Sequence, residues 1–430
     1  MAVGQSTASF SAALKEVYLP GIREELNEKT NLLDLFTEGD LTQYEWSGNE
    51  LVFALHSSRN YAGVKYVAEG GGLPTAGSQG IKNLKVPIAH LKGRIQLSYE
   101  VMRASRTDKG AFVRAMDLEQ KGLVNDVARQ RNRALAGFGS EILAVITTGV
   151  AANTVQTIKN PGGVSGTVNP GRFLQPGMVI VITDPTGVTV RSATTATVVS
   201  VSGATLTMDT AIATTTNDVI SLATSSLVST GQGSINAASM GILGIVDQTT
   251  YVTTIFGLDR SQTANAFFRS QIMSSVGTVN ADTLQRGIDN CEEVSGEMID
   301  KFVCHSSVRR EIAKLTEADR RYAAGSAQNF DAGTQAGANK KDLTFNGWSF
   351  RTDKDFAYGT LAGINSSHLF WLPETKGEWA DDDGTVLLRI ANVDAYEARF
   401  RVSENFASDK GNSMVRYDGL TANVSRWHLR

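Results

Sequence analysis

Between Asp108 and about Val145, apolar residues recur at steps of three, four and seven: Phe112, Met116, Leu123, Val127, Ala134, Phe138 and Val145. Those steps hold side chains on one face of a helix. Glu119, Asp126, Arg129, Arg133 and Glu141 fall mostly off that stripe, no proline interrupts it, and Asp108 is placed to cap it. A helix of that span would be about 50 Å long at ~1.5 Å per residue, long for a globular domain. Gly122, Gly137 and Gly139 weaken it toward its end.

Ahead of the helix the period changes to two. Leu51, Phe53 and Leu55 alternate with polar positions, and Leu84, Val86, Ile88, Leu91, Ile95 and Leu97 resume the pattern. Between them lies Ala68-Glu69-Gly70-Gly71-Gly72-Leu73-Pro74-Thr75-Ala76-Gly77-Ser78-Gln79-Gly80, a glycine loop with few apolar side chains and no core of its own. The pattern predicts a long two-stranded excursion with a soft tip. Such a hairpin is marginal alone in water, so it must lie on its own chain or on a neighbour. Further upstream, Ile22 to Phe36 reads as a helix with Leu26, Leu33 and Phe36 on its apolar side and Glu24, Glu25, Glu28 and Lys29 opposite.

Downstream of the helix the composition shifts. Lysine is absent between Lys159 and Lys301, and Val164 to Val228 is mostly Thr, Val, Ser, Ala and Gly. Met178–Ile182, Val188–Arg191, Thr195–Val201, Thr205–Met208 and Val219–Leu222 read as short strands, with turns at Asp184-Pro185-Thr186-Gly187 and Ser202-Gly203. They predict a small antiparallel β-barrel or sandwich inserted between Ala152 and Ser229. Beyond it come a helix over Ala281 to Glu297, a buried strand Phe302-Val303-Cys304-His305, and a helix from Ser306 or Ser307 to Leu315. A polar loop of about twenty residues follows, from Arg320 to Lys341, a length that marks a functional or disordered segment. Strands are expected at Leu343–Asp355, His368–Leu372, Val386–Ile390 and Ala395–Ser403.

Length and charge narrow the classes. A chain of 430 residues calls for two or three domains. Hydrophobic content of 41% with 20% charge suits a globular protein. A net charge of −3 argues against a general nucleic-acid binder, although a container for DNA need not grip each phosphate. No run approaches eighteen apolar residues, so no helical membrane span is expected, and Met1 to Phe10 has no signal-peptide pattern. Cys291 and Cys304 offer no disulfide framework and read as buried free thiols.

The runs Ser58-Arg59-Asn60-Tyr61-Ala62-Gly63, Ala68-Glu69-Gly70-Gly71-Gly72-Leu73-Pro74 and Arg94-Ile95-Gln96-Leu97-Ser98-Tyr99-Glu100-Val101-Met102-Arg103-Ala104-Ser105, ahead of the long helix, resemble the major capsid proteins of tailed bacteriophages. Leu174-Gln175-Pro176-Gly177-Met178 is similar to the opening of β-domains inserted in some phage coat proteins, and a Phe345-Asn346-Gly347 strand after a helix, strand, helix and loop follows the family's order of parts. The resemblance implies an α+β tailed-phage capsid fold. Its parts would be an N-terminal arm (1–45), an extended hairpin loop reaching across a neighbour (46–100), the spine helix of a peripheral domain (101–152), an inserted all-β domain (153–229), a mainly axial domain (230–380) and returning strands (381–430). It implies a structural protein of the virion, made in the bacterial cytoplasm. Copies would gather as pentamers and hexamers into an icosahedral shell around double-stranded DNA, with scaffold, portal and decoration proteins as further partners. No charged coiled segment precedes the arm, which points to a separate scaffold or a chain in mature form. Glu69, Gly70, Gly71, Gly72, Leu73 and Pro74 at the loop, with Arg129 and Arg133 on the helix, are the expected intersubunit contacts. An encapsulin-like compartment shares the fold, and a surface adhesin is the rival that the Thr-rich segment suggests.

No catalytic, cofactor or metal signature is complete. Gly231-Gln232-Gly233 and Gly137-Phe138-Gly139 lack the third glycine of a dinucleotide loop. His56, His90, His305, His368 and His428 have no metal-ligand spacing. Asp381-Asp382-Asp383-Gly384 reads as a solvated turn rather than a cation loop. Arg129, Arg131 and Arg133 read as a solvated helix face. Lys65, Lys82 and Lys85 border the hairpin loop, but none matches the lysine that some relatives cross-link to asparagine.

Overall fold

In the computed structural model of the chain, residues 30–39, 45–47, 50–98, 109–166, 168–223, 236–320, 344–381, 384–386, 388–390 and 394–422 are described. The expected helix ahead of Thr30, the loop at 321–343, Gly231-Gln232-Gly233, Asp382, Asp383 and His428 lie outside them, as does the Asp108 cap.

The strand Ala395–Ser408 is the middle of the main sheet. Along one side it pairs antiparallel with Ala89–Ser98, from Ala395 opposite Ser98 to Glu404 opposite Ala89. Along the other it pairs with Leu369–Trp379 and then with Leu388–Arg389. The short strand Thr37–Glu38 adds parallel to Leu369–Trp379. The expected hairpin span of 46–100 is therefore two things. Glu50–Ser58 and Gly80–Pro87 form the hairpin, and Ala89–Ser98 belongs to the central sheet. Likewise Leu32, Leu33, Leu35 and Phe36, expected in an arm, are buried in the chain's main core, and Leu33–Leu35 is a 3-10 turn.

The helix Lys109–Ala136 lies on one face of this sheet. Its 28 residues span about 42 Å at ~1.5 Å each. Val124, Val127, Ala128 and Leu135 are buried, the first three against Ile95, Trp379, Ala398, Phe400 and Val402. Gly93 lets the helix close in, because a Cβ there would stand 2.4 Å from Leu123 Cδ1. The helix stops nine residues before Val145. Gly137 and Gly139 follow its last turn, Gly139 at φ +81, and Gly241 packs against its last carbonyls. Val145 lies instead in a strand of the inserted domain.

That domain is a closed barrel, in the order Thr205–Ile212, Asn153–Lys159, Ala144–Ile146, Val219–Leu222, Val179–Thr183, Ala196–Ser202. A barrel has no open edge. Alternation explains much of the composition: Leu206, Met208, Val198, Ile180, Ile182 and Ile220 fill a core of barrel residues only, and Ser200, Ser202 and Thr205 face outward, while Thr183 and Ser221 are buried. The expected start at 153 misses Ala144–Ile146, because that strand is read as the helix's continuation. Val188–Arg191, expected as a strand, makes a single bridge at Val190. Arg172 fixes the barrel to the body. Its guanidinium donates to the Asp355 and Phe356 carbonyls, both at 3.0 Å, between the rings of Phe173 and Tyr358. Burial lowers its pKa.

The rest of the chain builds a six-stranded sheet, ordered Gln271–Met273, Val415–Tyr417, Leu361–Ile364, Lys301–Cys304, Trp348–Thr352, Thr344–Phe345. Two helices belong to this region, Ala281–Ser295 and Ser306–Arg320. Asn280 caps the first by accepting the Thr283 N–H at 2.7 Å, and Gly296 ends it at φ +73. The second is capped by neither serine. The His305 carbonyl accepts from Val308, and its Nδ1 accepts the Ser307 N–H at 3.1 Å. The expected strand Leu343–Asp355 is a hairpin, with Asn346 at φ 49 and Gly347 at φ 88 as its two-residue turn. Cys291 and Cys304 are buried free thiols, and burial pushes both up to about 12.

Candidate assembly surface

The hairpin has a cemented base and a bare tip. Inward-facing Leu51, Phe53 and Leu55 on one strand and Leu84 and Val86 on the other are buried in the main core. The Lys85 N–H donates to the Phe256 carbonyl at 3.0 Å. Lys82 Nζ reaches the Ala264 carbonyl at 3.2 Å and Asn265 Oδ1. A third strand, Glu45–Ser47, pairs alongside. None of this depends on another molecule.

Beyond Ser58 the pairing stops. Residues 59–79 form no strand. Asn60 closes the neck, its Nδ2 donating to the Gly77 carbonyl and its Oδ1 accepting from Gly63, both at 2.9 Å. His56 Nε2 and Gln79 Oε1 are 2.7 Å apart. Ala68 to Gly71 make a turn, with Gly70 at φ +76 and the Gly71 N–H donating to the Ala68 carbonyl. Glu69, Gly70, Gly71, Gly72 and Leu73 are exposed and Pro74 is half-buried, so the six predicted loop residues share one end of the hairpin. The loop is richer in apolar side chains than its glycine stretch suggests. Tyr61, Val64, Tyr66, Val67 and Leu73 are exposed, Tyr61 at 76% and Leu73 at 95%. Isolated exposed apolar residues are ordinary, whereas here five share one short loop. The reading of a glycine loop with few apolar side chains passed over Tyr61, Val64, Tyr66 and Val67, because they precede the glycines in the chain.

The two predicted helix residues behave differently from the loop and from each other. Arg129 is exposed. Arg133 is half-buried and paired with Glu141 of its own chain, and its guanidinium lies 5.8 Å from the Phe173 ring. Burial raises the Glu141 pKa against the opposing pull of Arg133 and Gln130. Arg131, expected on the same solvated face, is 1% exposed. Its Nε donates to Glu404 Oε1 at 2.6 Å and its Nη2 to Glu404 Oε2 at 2.5 Å. Trp371 Nε1 donates to that same oxygen at 2.5 Å, and the guanidinium stands over the Trp371 ring. Position 131 is four residues from Val127 and seven from Val124, on the buried stripe, so spacing pointed to it where charge pointed away.

A second buried knot joins the short helix Ile242–Ile245 to the six-stranded sheet. Arg416 Nη1 donates to Asp247 Oδ1 at 2.8 Å and the Val246 carbonyl at 2.9 Å, and its Nε donates to Asp418. Burial pushes the Asp247 carboxyl up, but the N–H groups of Val252 and Tyr251 and the Arg416 guanidinium hold it below the usual carboxylate range. Arg260 caps the same helix through the Gly244 and Ile245 carbonyls, and burial brings it down to about 10. These groups are consumed by structure. Among the described residues no cluster of three His, Cys, Asp or Glu side chains is arranged to hold a metal ion, and no helix is long and apolar enough to cross a membrane.

No protein-family model matches the chain, and no curated protein matches it. Solved structures do. A chain of the capsid asymmetric unit of cyanophage A-1(L) is 8% identical and superposes over 92% of this chain and 93% of its own length, with a TM-score of 0.53. The capsid of a native GTA particle is 8% identical over 91% of each chain, with a TM-score of 0.44. A structure from Mycobacterium phage Adephagia is 10% identical over 88% of this chain and 83% of its own, at 0.42. The first likeness gives the fold: this chain has the α+β fold of a phage capsid protein along nearly its whole length.

Proposed function

We propose that this chain is the major capsid protein of a tailed bacteriophage, a structural component of the virion whose copies close into an icosahedral shell around double-stranded DNA. The observation that carries the reading is the fold, shared with the cyanophage A-1(L) capsid chain over 92% of this one. The hairpin supports it. Its base is buried in the subunit's own core, and its tip exposes Tyr61, Val64, Tyr66, Val67 and Leu73, an apolar surface suited to a neighbouring copy.

In this reading the hairpin is the extended loop, the helix Lys109–Ala136 is the spine, the central sheet belongs to a peripheral domain, the six-stranded sheet with its two helices is the axial domain, and the barrel is an insertion. Glu69 to Pro74 and Arg129 meet neighbouring copies. Arg133, paired with Glu141, holds the end of its own helix. Pentamers and hexamers are the assembly units, and scaffold, portal and decoration proteins are the accessory partners. Burying an extension on a neighbour links assembly to subunit stability by mass action.

The test is electron microscopy of the chain expressed alone and with its neighbouring viral genes. Capsomers, sheets or closed shells are expected. A strictly monomeric species in both cases would overturn the proposal.

A further inference from the structure

Two segments cross between the six-stranded sheet and the central sheet side by side. Leu361–Ile364 and Val415–Tyr417 pair in the six-stranded sheet, and Leu369–Trp379 and Ala395–Ser408 pair in the central one, with Leu369 opposite Ser408. The turn Ser366–His368 makes one crossing, and Asp409 to Met414, with its turn Gly411–Ser413, makes the other. On the inside of this joint Ile364, Leu369, Ala407 and Met414 are buried in the main core. On the outside lies a cluster of partly exposed charged side chains.

His368 stands between the two crossings and the end of the helix Ala281–Ser295. Its Nδ1 lies 2.7 Å from Asp409 Oδ1, on the other crossing, and its Nε2 lies 2.6 Å from Glu297 Oε2, just past the helix. Lys410 Nζ donates to Glu297 Oε1 at 2.6 Å, and Asn365 Nδ2 donates to Glu297 Oε2 at 3.1 Å. Beyond Ser366 lies Asp300, which accepts the Ser366 N–H at 3.0 Å and has Lys301 Nζ 3.9 Å away. A neutral imidazole has one N–H and one lone pair, whereas the imidazolium has two N–H groups. With a carboxylate oxygen at hydrogen-bond distance from each nitrogen, only the imidazolium donates to both, and both bonds are then charge-assisted. The neutral ring keeps one bond and turns a lone pair on the other carboxylate. The Lys410 ammonium holds the Glu297 carboxyl below the usual carboxylate range against the effect of burial, with His368 adding to the pull, so Glu297 remains an acceptor at neutral pH.

We propose that His368 is a proton-operated latch on this joint: protonated, it ties the two crossings to each other and to the helix end, and on losing the proton it releases one of those ties. Imidazole is the side chain that changes charge between about pH 5 and 8, so the latch is closed at the acid end of that range and open at the alkaline end. The core under the joint is not part of the cluster, so release loosens the seating of one sheet against the other without unfolding either. The inference concerns the subunit alone and stands apart from the capsid reading.

The test is a pair of double-mutant cycles on the full-length soluble subunit, His368→Gln with Asp409→Asn and His368→Gln with Glu297→Gln, read by urea unfolding at about pH 5.5 and about pH 8.5. Both values lie above the usual range of carboxylates and below that of a lysine ammonium, so the ring is the group in the cluster that changes charge between them. Each substitution keeps a hydrogen-bonding side chain of similar size, and none touches the core. Partly exposed ion pairs couple by up to about fivefold in the unfolding equilibrium, and both cycles should show a coupling of that order at the lower pH. At the higher pH one of the two should fall below about twofold, because the neutral ring has a single N–H to give. Couplings of equal size at both pH values in both cycles overturn the proposal, since the neutral ring would then hold the joint equally well. No coupling in either cycle at the lower pH also overturns it, since the ring would then have no grip on the joint.

Discussion

Arg131 shows how a charged side chain can belong to a core. It is buried with Glu404 and Trp371, both carboxylate oxygens are used, and the pair ties the long helix to the central sheet. Removing one partner of such a pair leaves an uncompensated buried charge, whereas replacing both by apolar groups of similar size is often neutral. Arg131→Met should therefore cost about 3–5 kcal/mol in urea unfolding of the subunit. The double variant Arg131→Met with Glu404→Leu should recover most of it, and a double variant as unstable as the single would refute the account. Asp247 allows a second residue-scale prediction, with pH as the variable. Its folded pKa is depressed, so its contribution to stability is present above the unfolded carboxylate value and is lost as pH falls through the folded one. Asp418, raised by burial against the pull of the same arginine, titrates in the opposite sense. Comparing wild type with Asp247→Asn isolates the first: the variant should show a shallower loss of stability below about pH 4. Parallel acid limbs would show that Asp247 is not linked to folding. Neither knot was visible in the sequence, because their partners lie 273 and 169 residues apart.

At the scale of elements, local patterns carried what they could. Period-two runs at Leu51–Leu55 and Leu84–Ile88 became the hairpin's buried face, and the Asn280 and Gly296 ends framed a helix within two residues of the expected one. Failures arose where a local pattern fits two elements. Ala144-Val145-Ile146 continues the helical stripe as well as it starts a strand, and only closure of the barrel decides. The consequence is testable. A fragment from Gly162 to Leu227 lacks Ala144–Ile146 and Asn153–Lys159, two of the six barrel strands, and leaves Ile146 and Ile158 out of the core. It should give a coil-like circular dichroism spectrum without a melting transition. A fragment from Ser140 to Ala223 contains all six strands and the whole barrel core, and should melt cooperatively. A cooperative transition in the shorter fragment would mean that the barrel closes without those strands.

At the scale of the molecule, the fold was legible from the order of its parts, while the surfaces proposed to meet other copies were legible only in fragments. The glycines at 70–72 announced a loop, but the surface they present depends on Tyr61, Val64, Tyr66 and Val67 upstream. Those residues read as loop filler until the neck at Asn60 and Gly77 is seen to hold them out from the core. A tip so arranged does nothing for its own subunit. Exposed substitutions away from caps and cores change stability by about 0.5 kcal/mol or less. Burying a large apolar side chain on a partner gains about 1.5–3 kcal/mol. Replacing Tyr61, Tyr66 and Leu73 together by serine should therefore leave subunit melting unchanged and sharply reduce particle yield, because every interface in a shell repeats the loss. Subunit melting and particle counts on the same preparation separate the outcomes. A lowered melting temperature would place the tip in the subunit's own core, against its exposure. Normal particles of normal stability would mean that the tip meets no neighbour, and the proposed shell would have to be held by other surfaces.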